Sequence, residues 1–108
     1  MNRFIIAAAF SSVFAAPAYA TSRAYNVANI TGSMAGKAIY CGFEHREFAR
    51  QMARVIALLA VDAQDESDAT KQAMRAMAIA SRTGPVGESC SEFRPGFEQA
   101  LDDLRATR

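Results

Sequence analysis

The chain has one histidine, His45, in the run Glu44-His45-Arg46-Glu47. An imidazole there could serve as a general base or a metal ligand. Its i+4 neighbour is Ala49, so the helical His pair of metalloproteases cannot form. Among charged neighbours it reads as an exposed side chain near a helix start. Asp62, Asp65, Glu66 and Asp68 form an acidic run. A calcium loop of EF-hand type counted from Asp62 would need Gly at its sixth position and Glu at its twelfth, where Ser67 and Ala73 stand. The run suits the start of a helix instead, with Asp65 or Ser67 as cap. Met34, Met52, Met74 and Met77 carry thioethers soft enough for copper, but all four fall on apolar helical stripes and read as core. No metal, cofactor or catalytic residue is expected. C-x-x-C, C-x-x-C-H and G-x-S-x-G are all absent.

Arg46, Arg50 and Arg54 recur at i, i+4 and i+8, and Lys71 and Arg75 repeat the spacing further on. Such a row is either a solvated face or a dock for an anionic partner, and it is the best candidate for a partner-binding face. With twelve Lys and Arg against eleven Asp and Glu, the chain lacks the basic excess of a nucleic-acid binder.

The remaining reactive groups are two thiols, Cys41 and Cys90. Their state depends on where the protein resides. Met1–Ala20 has a positive start at Arg3, an uncharged and mostly apolar run from Phe4 to Phe14, a break at Pro17, and the small-x-small end Ala18-Tyr19-Ala20. That is the pattern of a cleaved signal peptide, leaving 21–108 as a single domain in the periplasm or outside the cell. A membrane anchor would need about 20 apolar residues, and Ser11, Ser12 and Pro17 interrupt this one. Residue 21 is Thr, so a lipoprotein junction is missing. Loss of Arg3 brings basic and acidic side chains into balance. In an oxidising compartment the two cysteines should pair. Closing a loop of about 50 residues is worth roughly 4 kcal/mol in the chain-entropy model, a large share for so small a domain.

Four stretches of helical periodicity must position these groups. The first runs from Ser22 to Cys41, with Val27, Ile30, Met34, Ala38 and Cys41 on one stripe and Gly42 as its stop. Gly32, Ser33 and Gly36 lie mid-stretch, where small residues let a neighbouring helix come close. The second, Glu44 to Val61, has the clearest face: Phe48, Met52, Val55, Ile56 and Leu59. The third, Ser67 to Arg82, has a thin stripe of Ala69, Ala73, Met74, Met77 and Ala80 and stops at Gly84-Pro85. The fourth starts at Cys90 or Ser91 and carries Phe93, Phe97, Ala100, Leu101 and Leu104, with Pro95 within or just ahead of its first turn.

The expected fold is therefore all-α, a small antiparallel four-helix bundle with one disulfide. The bridge should tie helix one to helix four, amid an aromatic cluster of Phe43, Phe48, Phe93 and Phe97. Size, single bridge and helical periodicity resemble periplasmic acid-stress chaperones and helical immunity proteins, a likeness of architecture that fixes no residue. The function expected is a non-enzymatic protein-binding module such as an inhibitor, immunity protein or accessory subunit. An acid-responsive chaperone is the alternative, followed by a small enzyme or metal carrier. The partner is another protein, with no nucleic acid and no stable membrane anchor. A homodimer is also open, because the thin third helix leaves its neighbours partly uncovered.

Overall fold

The computed structural model describes residues 22–108, so the expected signal peptide lies outside the described residues. Four helices follow in order: α1 Arg23–Tyr40, α2 Arg46–Leu59, α3 Ala63–Thr83 and α4 Cys90–Ala106. Each has a local reason to start and stop. Ser22 caps α1 by accepting from the Tyr25 amide at 3.1 Å. At its far end Phe43 donates to Ala38 and Gly42 to Ile39, with Gly42 at φ 76°, a conformation few side chains tolerate.

Helix α3 begins earlier than its stripe suggests. Its cap is Asp62, which accepts from the Asp65 amide at 2.8 Å, rather than Asp65 or Ser67. Asp65 is occupied elsewhere: it accepts from Ser22 Oγ at 2.8 Å and from the Val61 amide at 3.0 Å, tying the start of α3 to the start of α1. Ser89 and Glu92 close a reciprocal capping box on α4. Pro95 is the sixth residue of α4, a turn later than its chemistry would favour. Lacking an N–H, it leaves the Ser91 carbonyl without its usual helical donor.

Cys41 and Cys90 are bonded, with Cα atoms 5.6 Å apart. The bridge joins the end of α1 to the first residue of α4. Beside it the expected aromatic cluster is present. Phe43 stacks on Phe93 at 6.2 Å, and Phe97 lies 4.8 Å from Phe48 and 5.8 Å from Phe93. The α2 stripe is buried as read, through Phe48, Met52, Val55 and Ile56, and Leu104 of α4 completes this side of the core.

The helices pack unevenly. By far the closest pair is α1 with α3. Ser22 meets Asp65 near one end and Tyr40 meets Gly84 near the other, so the two run parallel. In a square up-and-down bundle these helices would face each other across the diagonal. Here they touch along their length because their seam is built of small residues. Ala24, Ala28, Thr31, Ala35 and Ala38 recur every four and three positions on α1, and Ala69, Ala73, Ala76 and Ala80 do so on α3. That is the heptad spacing of a coiled coil, with methyl groups in place of leucines. A Cβ on Gly32 would lie 2.5 Å from the Ala73 carbonyl oxygen.

Of the expected stripes, Ala38 on α1 and Ala69, Ala73 and Ala80 on α3 are buried as read, and the seam corrects their large members. Ile30 is 61% exposed and Met74 64% exposed, although both were read as core. Met34 and Met77 pack only against its margin, and of the four methionines Met52 alone is fully buried. The wide side chains sit beside a seam too narrow to admit them.

Candidate functional site

Because α3 is drawn onto α1, it never reaches α4; no Cα of one comes within 8 Å of the other. The side of α1 between them is left open. A groove of about 550 Å³ runs there, with walls from α1 and α3 and one end closed by the loop at Gly84 and Val86. Ile30, Met34, Ala76 and Ile79 give it an apolar surface. Ile79 is 56% exposed and Val86 82%. A smaller groove of about 310 Å³ continues between α1, α2 and α4, and Ile30 and Met34 form the ridge shared by both.

The polar edge is organised. Tyr25 Oη donates to Gln72 Oε1 at 3.0 Å, and Gln72 Nε2 donates to Asn29 Oδ1 at 2.8 Å. Arg75 Nη2 donates to the same Gln72 oxygen at 2.9 Å. Lys37, further along α1, lines the groove and holds its ammonium 5.9 Å from the Phe93 ring. The lining therefore carries one charged side chain, Lys37, and no carboxylate. Its other functional groups are amides and the hydroxyls of Ser33 and Thr83, a set suited to holding a surface in place.

The Arg and Lys row is divided by its surroundings. Arg54 donates from Nη2 to the Leu104 carbonyl at 2.6 Å and from Nη1 to that of Thr107 at 2.9 Å, closing the end of α4. Arg50 pairs with Glu47, which also lies 3.6 Å from Arg105. Arg75 belongs to the groove edge. Arg46 and Lys71 are exposed. Thus of the α2 row only Arg54 reaches α4, while Arg75 of α3 turns to Gln72.

His45 occupies the N-cap position of α2 without capping it; its Nδ1 lies 3.4 Å from the Phe43 carbonyl oxygen. Glu44 caps instead, accepting from the Arg46 amide, and this bond holds its carboxyl below the usual glutamate range. Asp62 and Asp65 are engaged in capping and tethering, and Asp68 accepts from Gln64 at 2.9 Å. Among the described residues no group of three or more His, Cys, Asp or Glu is placed to hold a metal ion, and no helix is long and apolar enough to cross a membrane.

The groove was not foreseen as a site, although its signal lay in the sequence. The 4-3-4-3 spacing of small residues from Ala24 to Ala38 marks the buried seam, and whatever large residues flank such a seam must lie outside it. No protein-family model, curated protein or solved structure matches the chain.

Proposed function

We propose that the protein is a small exported, non-enzymatic protein-binding module: a compact four-helix domain, released from a cleaved leader, that receives a polypeptide in the groove between α1 and α3. One observation carries this reading. The seam alanines of α1 and α3 are inside together with Gly32 and Gly36, while Ile30, Met34, Ile79 and Val86 border an open groove. Full burial of such a side chain contributes roughly 1.5–3 kcal/mol, and Ile30, Ile79 and Val86, more than half exposed, gain only part of it within this fold. A grouped apolar surface edged by polar side chains is the form of a protein interaction site. The Cys41–Cys90 bond supports an oxidising compartment and thus export. Inhibitors, immunity proteins and accessory subunits are the matching functional types.

A photo-crosslinking side chain placed at Ile79 in the native host tests this. It should give one adduct of defined mass, and the same group at exposed Ala57 of α2 should give none. No adduct at Ile79, or the same adducts at both positions, would overturn the reading.

A further inference from the structure

Resting on that reading, we infer that the occupant of the groove is an amphipathic helix of another protein, with an apolar ridge flanked by Asp or Glu. The walls are two helices whose own amides and carbonyls are satisfied internally, so they have no edge on which an extended strand could pair. A partner helix brings its backbone bonds already made and needs only side-chain complementarity. Its ridge would take the i, i+3, i+4, i+7 pattern of helix-in-groove recognition. The groove is lined from Asn29 to Lys37 on α1 and from Gln72 to Thr83 on α3, about 12 to 17 Å at 1.5 Å per residue, room for two to three turns of a partner helix.

Charge selects among such helices. Lys37 lines the groove, and Arg75 stands at its edge on Gln72. Arg82 follows on α3, and the whole of α1 contains no Asp or Glu. The acids of α3 are confined to its N-terminal part, Asp65, Glu66 and Asp68, where Asp65 tethers Ser22. A helix laid here meets cations as it is desolvated, so acidic flanks are favoured and basic ones repelled. The same charges disfavour a second copy. Groove-to-groove docking of two copies would bring the cations of one groove, Lys37 and Arg75, toward those of the other, and insertion of a different helix would be a head-to-tail contact that leaves one groove of a dimer unfilled.

The test is selection of 18-residue helix-forming peptides from a display library on the purified, disulfide-bonded protein. Winners should carry the apolar ridge with Asp or Glu beside it. Replacing those acids by Gln should weaken binding at least tenfold at low salt. Arg75→Glu should reverse the preference toward Lys-flanked versions, and Ile79→Asp should abolish binding without lowering the melting temperature. Winners with neutral or basic flanks that still depend on Ile79 would overturn the acidic helix but leave the groove reading intact. Winners indifferent to Ile79→Asp, or no winners, would overturn both. Sedimentation showing a dimer dispersed by Ile79→Asp would identify the occupant as a second copy and overturn the inference.

Discussion

Gly36 of α1 lies directly against Met77 of α3: a Cβ at position 36 would overlap the Met77 carbonyl oxygen and stand 2.7 Å from the Ala80 methyl. Neither neighbour is a side-chain end that could swing away. One is backbone and the other is a Cβ, so the helices themselves would have to part. The open groove follows from this contact. Close approach at Gly32 and Gly36 pulls α3 off α4 and fixes which side chains stay outside.

Gly36→Ala should therefore destabilise the protein. Alanine in place of glycine within a helix normally gains up to about 1 kcal/mol. Overpacking a tight contact loses about 1–3 kcal/mol, and the second effect should win here. Gly96→Ala is the control, since a Cβ on Gly96 meets nothing within 4 Å. Urea unfolding should show Gly96→Ala unchanged or stabilised and Gly36→Ala less stable. Equal gains in both would mean that the seam is looser than described.

Breaking the bridge should remove about 4 kcal/mol, the chain-entropy value for a loop of this length. Cys41 ends α1 and Cys90 begins α4, with Phe43 and Phe93 stacked beside them. Reduction should therefore collapse the near-ultraviolet dichroism of the aromatic cluster. A Cys41→Ser, Cys90→Ser variant should behave like the reduced protein. An unchanged spectrum after full reduction would show that the rings are held without the bond.

The parts of the fold legible in the sequence are those decided locally. Phe48, Met52, Val55 and Ile56 are all large, so the α2 face is the same by size and by burial. On α1 size and burial point to opposite sides. Ile30 and Met34 draw the eye, yet the buried face belongs to Ala24, Ala28 and Ala35, because the approach of α3 decides what fits. The cap of α3, expected at Asp65 or Ser67, is Asp62 for a similar reason: Asp65 is held by Ser22, 43 residues away, which no local pattern shows. The α4 capping box, Ser89-x-x-Glu92, closes within four residues and depends on no tertiary contact.

Glu44 provides a pH-dependent element. Its carboxylate accepts from the Arg46 amide at the start of α2, which lowers its folded-state pKa, with smaller favourable contributions from the Arg46 and His45 charges. A depressed carboxyl pKa stabilises the fold above the unfolded-state value, and that contribution is lost as pH falls through the folded one. Glu44→Gln should therefore be less stable than wild type at neutral pH, with the difference disappearing in acid below the folded pKa. Carboxyl chemical shifts should place the Glu44 midpoint below that of an unstructured glutamate. A midpoint at or above the usual range would remove this cap from the account of α2.

Arg46 and Arg54 look equivalent on the helix surface, two turns apart with the same side chain, but the fold treats them differently. Arg54 donates to the Leu104 and Thr107 carbonyls, in the last turn of α4 where the usual i+4 amide donors run out and the dipole favours positive charge. Arg54→Ala should accordingly cost about 1 kcal/mol, the scale of such hydrogen bonds, and speed amide exchange in the last turn of α4. Arg46→Ala should leave both unchanged, because its guanidinium makes no contact that α4 depends on. If the row acts as one docking face, the two substitutions would instead match in stability and both weaken partner binding. If Arg54 is a clamp, its loss shows up without any partner. Measuring stability and exchange on the isolated protein separates these cases before a partner is identified.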